Sequence, residues 1–176
     1  MRLLLGNETG ATADFQESLT LAPTEPNVAF RIVESYQAAG KWEAAIDRLN
    51  ALIETFPKDE RVPLALNARC RSRAMLGREL ELARDDCTSA LRKGPRSSLV
   101  FDSRGLVWLQ LGNFDKAISD YNDALKLQPK YASALYGLGI AEAKKGLKES
   151  SAKNMQAAID LDPNVAVPYR RIGLAP

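Results

Sequence analysis

Two cysteines, Cys70 and Cys87, and a few arginine–aspartate combinations are the side chains of this sequence best placed to do chemistry. Histidine is absent, which removes Ser-His-Asp and Cys-His nucleophilic arrangements and the usual imidazole zinc sites. Two cysteines alone make a poor metal site, so neither a metal nor another cofactor is expected. The two thiols have two readings. They are buried as small hydrophobes, or they form a disulfide, which requires an oxidising compartment. Arg69 with Asp86 and Arg104 with Asp120 stand at matched positions of a repeating pattern. Where that pattern holds Ile32 or Leu138 in place of the arginine, Arg48 or Asn154 replaces the aspartate. Charges that appear and vanish together predict the ion pairs Arg69–Asp86 and Arg104–Asp120, buried enough to be hydrogen-bonded, in preference to an anion-binding row. Gly137-Leu138-Gly139-Ile140 has the look of a dinucleotide fingerprint, but no strand precedes it, so that reading is rejected. Asn7-Glu8-Thr9 matches a glycosylation acceptor, a frequent chance match.

The elements that position these residues recur along the chain. Pro23, Pro57, Pro95, Pro129 and Pro163 are separated by 34, 38, 34 and 34 residues. Upstream of each stands a glycine (Gly6, Gly40, Gly77, Gly112 and Gly146), 17 residues away in four units and 18 from Gly77. Small residues follow the glycine at one column (Ala11, Ala45, Ala83, Ala117, Ser151), larger ones at another (Phe15, Leu49, Cys87, Tyr121, Met155). Apolar residues at helical spacing flank each glycine, so each unit reads as two helices joined by a turn and closed by proline. Small residues in the second helix, with Gly105 and Gly139 in the first, allow two helix axes to approach closely. Cys70 and Cys87 fall on the two helices of one unit, at facing columns.

These units resemble tetratricopeptide repeats, helix–turn–helix units of 34 residues. The clearest stretch runs from Phe101 through Gly105, Trp108, Gly112, Ala117, Tyr121 and Ala124 to Pro129. The next is Leu135, Leu138, Gly139, Gly146, Ala158 and Pro163. Departures are the 38-residue unit, Glu142 where a large aromatic is usual, and Cys70 where Gly or Ala is usual. The resemblance implies an all-α fold: a right-handed superhelix, or α-solenoid, of antiparallel helix pairs. The expected parts are a partial repeat at 1–23, repeats at 24–57, 58–95, 96–129 and 130–163, and a capping helix with tail at 164–176. Asn164 is expected to cap that last helix, with Tyr169 and Ile172 covering the apolar end of the stack. The first unit lacks most of its first helix, which suggests a fragment of a longer chain whose uncapped N-terminal end offers a surface for self-association, in preference to a short protein with a degenerate N-terminal cap.

The resemblance also implies a non-catalytic protein–protein interaction scaffold whose concave groove, lined by the first helix of each pair, takes a peptide or partner protein. By column the groove holds Asn27, Phe30, Glu34 and Gln37; Leu64, Asn67, Arg71 and Ala74; Leu99, Asp102, Leu106 and Leu109; and Ser133, Tyr136, Ile140 and Ala143. Leu106, Leu109, Tyr136 and Ile140 are expected to make the groove apolar and to supply anchors, with Asn67, Arg71 and Asp102 setting register; the other reading, that apolar side chains of these columns only pack the inner seam, is expected for about half of them. Family members that clamp chaperone C-terminal carboxylates use Lys, Asn and Arg at set columns. Those columns here hold Phe30, Glu34, Ala68, Leu99 and Ser103, or Asn67, Arg71, Ser103, Ser133 and Gly137, so no clamp is expected. The alternative is a structural or regulatory appendage of a larger multidomain protein, an enzyme included. The Asp-Ser-Arg-Gly and Asn-Ala-Arg-Cys stretches are similar to repeat segments ending larger bacterial proteins.

Composition agrees with that class. The chain of 176 residues is 45% hydrophobic and 26% charged with a formal charge of +2, which suits a folded domain and argues against a dedicated nucleic-acid binder. No apolar run reaches the ~18 residues of a membrane span, and Met1–Leu5 is too short for a signal-peptide apolar region. Charge is uneven: residues 1–60 carry 5 basic and 10 acidic side chains, residues 61–96 carry 9 and 4, and residues 97–176 carry 10 and 8. The basic middle is read first as a solvated face and second as a site for an acidic partner.

Overall fold

Apolar residues at helical spacing, broken at each glycine and proline, become nine helices among the described residues. The structure, a computed structural model, describes residues 26–174. The helices are α1 (Pro26–Ala38), α2 (Trp42–Thr55), α3 (Val62–Leu76), α4 (Leu80–Lys93) and α5 (Ser98–Gln110). They continue as α6 (Phe114–Leu127), α7 (Ala132–Lys144), α8 (Lys148–Leu161) and α9 (Ala166–Arg171). No strand occurs among the described residues. The partial unit at 1–23 and its end lie outside them. Consecutive helices pair antiparallel, and α3, α5 and α7 also pack on one another, so the pairs stack as a right-handed solenoid.

Local chemistry explains the punctuation. The turn glycines Gly40, Gly77, Gly112 and Gly146 have φ between 64° and 78°, a left-handed conformation costly for other residues. The second helix of every pair carries an acid in its first turn (Glu43, Glu81, Asp115, Glu149), favourable at the positive end of a helix dipole. Asn113 caps α6, its Oδ1 accepting from the Lys116 amide at 3.2 Å. The lengthened unit spends its extra residues on two turns. In one, Asp59 accepts from the Arg61 amide at 2.9 Å and from its Nε at 2.8 Å. In the other, Glu79 adopts φ 52°, and its carboxylate accepts from Arg73 Nε at 2.9 Å.

Helix separation follows from side-chain volume at one shared column. Ala45, Ala83 and Ala117 are fully buried, and Ser151 Oγ donates to the Gly139 carbonyl at 2.8 Å. Beside them, Tyr121 of α6 fills the space left by two glycines. A Cβ on Gly105 would lie 2.9 Å from its ring, and one on Gly137 of the next pair only 2.3 Å away. A Cβ on Gly139 would similarly meet Met155 Cγ at 2.6 Å. Tyr121 of α6 is thus wedged between two first helices, and Met155 of α8 against the first helix of its own pair, volume-matched fits in which added atoms force displacement.

At the C-terminal end, α9 buries Ala166 and Tyr169 and exposes Arg170 and Arg171. Asn164 does not cap it. Val165 holds the N-cap position with no side-chain bond, and Asp162 Oδ1 instead accepts from the Asn164 amide at 2.9 Å. Asp162 ends the preceding helix, so its carboxylate sits over the turn that Asn164 enters.

Candidate interaction surface

The first helices α1, α3, α5 and α7 carry the columns expected to meet a partner. Phe30 is half-buried, Glu34 is exposed, and Asn67 and Arg71 are partly open. Five of the other expected contacts are closed. Asp102, Leu106, Leu109, Tyr136 and Ile140 are between 0 and 4% exposed. These five are corrected from partner contacts to interior residues in this fold.

Hydrogen bonds that stitch every inner helix to the next explain the closure. Gln37 Nε2 of α1 donates to the Ala68 carbonyl (3.1 Å) and Ser72 Oγ (2.9 Å) of α3. Gln110 Nε2 of α5 donates back to the Ala74 carbonyl at 2.9 Å. Asp102 Oδ2 of α5 accepts from Arg71 Nη1 of α3 (3.0 Å) and from Ser133 Oγ of α7 (3.1 Å), with the Tyr131 hydroxyl at 3.3 Å. Finally Tyr169 of α9 donates its hydroxyl to the Ser133 carbonyl at 2.8 Å and lays its ring against Tyr136, centroids 5.1 Å apart. The inner helices are drawn together, and apolar side chains between them lose access to water.

Burial pushes the Asp102 carboxyl above its ordinary range, and the Arg71 charge opposes that shift. Burial likewise pushes the Tyr131, Tyr169 and Tyr121 phenols up. Asp102 holds three donors on one oxygen while Oδ1 has no protein partner. Such a group orders neighbouring helices but is poorly placed to meet a ligand.

What stays open is the N-terminal edge of these helices. Leu64 and Leu99 occupy the same column one unit apart and are 56% and 53% exposed. Two large apolar side chains this bare, on one face, are a cost the isolated chain carries.

The arginine–aspartate columns are filled by forked pairs. Arg104 Nε and Nη2 each donate to Asp120 at 2.7 Å. Arg69 Nε and Nη2 donate to Asp86 at 2.8 and 2.6 Å, and Arg69 Nη1 reaches Asn50 of the preceding pair at 2.7 Å. Sequence reasoning missed Arg73, which also donates to Asp86 through Nη1. In the last full pair, Asn154 donates to Glu142 at 2.9 Å, with Glu142 at the column of Arg73. The polar residue of the second helix therefore takes its partner from either of two columns one turn apart. That substitution pattern was visible in the sequence, and it accounts for Glu142 in an aromatic's place.

Cys70 and Cys87 form a disulfide, with Cα atoms 5.6 Å apart, at the columns that Gly105 and Tyr121 fill in the next unit. Two sulfurs occupy space otherwise filled by one ring against no side chain. No group of three or more potential metal ligands occurs among the described residues, and no described helix is long and apolar enough to cross a membrane.

Comparison with known proteins follows this geometry. Two family models, both described as tetratricopeptide repeat, match residues 3–69 and 104–166. The interval between them holds the disulfide and most of the lengthened unit. The small glutamine-rich tetratricopeptide repeat-containing protein 2 of Mycosarcoma maydis is 28% identical over 61% of this chain and 31% of its own length. Human tetratricopeptide repeat protein 6 is 33% identical over 49% of this chain and 16% of its own. The chain thus spans about a third or less of the length of these curated relatives. Among solved structures, MamA superposes with a TM-score of 0.71 at 22% identity, covering 94% of this chain and 95% of that one. A chain of the APC/C hetero-tetramer Cut9-Hcn1 gives 0.78 at 19% identity, covering 96% of this chain and 34% of that chain. These likenesses show a shared solenoid, of a kind that typically serves as a non-catalytic scaffold for proteins or peptides. Recurring glycines, wedged columns and matched models converge: the chain belongs to the tetratricopeptide repeat family.

Proposed function

We propose that this array is a non-catalytic scaffold that holds a segment of a partner protein against the open part of its inner face. That part runs from Phe30 and Glu34 through Leu64, Asn67 and Arg71 to Leu99. The observation that carries the reading is the exposure of Leu64 and Leu99 at one column of adjacent units. Covering the half of each side chain that remains exposed would contribute about 1–1.5 kcal/mol. The ion pairs and the disulfide serve the scaffold, since each joins helices and neither is open to a partner. The units follow the proline boundaries at 23, 57, 95, 129 and 163. Without the lysine and asparagine columns of the clamp, the array has no affinity for chaperone C-terminal tails.

A photo-crosslinking amino acid placed at Leu99 tests this reading, with one at Leu82, exposed on α4, as control. The Leu99 position is expected to capture discrete partners that the Leu82 position does not. Identical capture from both would refute the inner face as the site.

A second reading is favoured by relative lengths. The curated relatives are about three or more times longer than their match to this chain, so the array also fits as the interaction arm of a larger protein. Full-length transcripts of the encoding gene would decide this: a reading frame ending at these residues rules it out.

A further inference from the structure

Charge on this array is concentrated where two successive connections meet. Residues 91–100 and 126–131 hold five basic side chains, Arg92, Lys93, Arg96, Lys126 and Lys130, and no acidic one. All five are exposed. Antiparallel pairing brings the end of α4 and the start of α5 to the same edge as the end of α6 and the start of α7. The two connections touch: Ser98 Oγ donates to Gln128 Oε1 at 3.0 Å. Asp123 lies near Arg96 (3.6 Å) and Lys126 (2.8 Å) and neutralises part of their charge. Among the described residues no carboxylate comes within 4.0 Å of Arg92, Lys93 or Lys130. Between the cations stand two apolar side chains, Leu99 and Leu127, 53% and 48% exposed.

We propose that this basic lip binds an acidic polypeptide segment of a partner protein, one that also carries leucine-sized residues for Leu99 and Leu127. The inference rests on the scaffold reading above and names the chemistry of the partner. Uncompensated cations attract an acidic chain and steer its approach. Exposed leucines contribute only if the occupant brings apolar surface, which a nucleic-acid backbone lacks. No exposed aromatic residue stands on the lip to stack with bases. Two separated leucines are too small an apolar area to hold an array on a lipid surface. Because Leu99 also ends the open inner column, a chain entering at the lip continues toward Leu64. Inner helices lie roughly 8–10 Å apart, about three residues of a polyproline-II chain at ~3.1 Å each, whose side chains return to one face every third residue. Apolar residues at i and i+3, next to a run of Asp and Glu, match this surface.

The probe is a fluorescein-labelled peptide, Leu-Ser-Ser-Leu-Glu-Asp-Glu-Asp, with fluorescence anisotropy as readout on the full chain. Binding is expected to weaken about tenfold between low and physiological salt. An Arg96→Glu/Lys130→Glu variant should lose about tenfold or more in affinity, and Leu99→Asp a similar factor. A Lys-for-acid version of the peptide should not bind. All substituted side chains are exposed, so unchanged circular dichroism melts accompany each variant. The proposal is overturned if the peptide does not bind or binds both variants as it binds the parent. It is also overturned if single-stranded DNA of equal length, or phosphatidylserine vesicles, bind more tightly with the same residue dependence. Crosslinking at Leu99 that persists while Arg96→Glu/Lys130→Glu changes nothing would remove the lip and leave the scaffold reading intact.

Discussion

Removing Asp120 isolates a guanidinium that the fold has largely withdrawn from water. Asp120 is 6% exposed and Arg104 21% in their side chains, joined by two bonds of 2.7 Å. Breaking a buried pair from one side costs about 3–5 kcal/mol. Arg104 keeps a fifth of its surface in water, a long contact to Thr88 Oγ1 at 3.5 Å and the Phe101 ring at 5.9 Å. These lower the expected loss for Asp120→Ala to about 2–3 kcal/mol, a fall in Tm of roughly 4–12 °C for a chain of this length. Arg104→Leu places at that column the kind of residue found at Ile32 and Leu138. The double variant Arg104→Leu/Asp120→Ala should therefore recover at least about 1 kcal/mol relative to Asp120→Ala. Urea unfolding followed by far-ultraviolet circular dichroism measures all four proteins. An Asp120→Ala protein within about 0.5 kcal/mol of the parent, with additive effects in the cycle, would refute the assignment of this pair as a structural clasp.

Other substitutions probe other levels of the structure. Replacing Cys70 and Cys87 by alanine opens a covalent loop with a sequence separation of 17; the expected loss is about 3 kcal/mol, read as the difference in urea unfolding free energy between the oxidised parent and the variant. Gly137→Ala drives a methyl into Tyr121 and should cost about 1–3 kcal/mol, with Tyr121→Leu in the same chain restoring part of it. Asp102, whose carboxyl is pushed up in the fold, contributes stability that is fully present below about pH 3.9 and is lost as pH rises through its raised folded value. Unfolding of Asp102→Asn should consequently show less loss of stability between pH 4 and pH 7 than the parent. Leu106→Asp buries a charge and should unfold the array, whereas Leu99→Asp should leave its thermal midpoint within a few degrees; equal destabilisation would contradict the sealed inner face.

The sequence disclosed the solenoid through columns that chemistry makes non-interchangeable, such as Gly40, Gly77, Gly112 and Gly146 at positive φ. The forked pairs were legible for the same reason, since Arg69, Asp86, Arg104 and Asp120 co-vary within a unit. Arg73 escaped because a charged residue at an aromatic's column looks like drift until Asp86 is seen facing it from the next helix. The closure of Leu106, Leu109, Tyr136 and Ile140 was legible only in part, for a different reason. Exposure of an inner column depends on how near the next unit comes, and that is decided by bonds between residues about 30 apart, Arg71 to Asp102 and Asp102 to Ser133. A column pattern within one unit contains no term for that distance. Cys70 and Cys87 were legible as neighbours, but facing columns are shared by thiols and disulfides alike.

Tyr121 stands closer to a glycine of the following pair than to the glycine of its own. The grammatical unit of the chain and the mechanical unit of the stack are therefore offset by one helix. Anyone who transplants, deletes or duplicates a segment at the proline boundaries would separate a wedge from half of its socket. A graft cut in the middle of a pair, so that α6 travels with α7, keeps the tighter half of the socket at Gly137 and gives up the half at Gly105, and evolution of longer or shorter arrays by such exchanges faces the same choice.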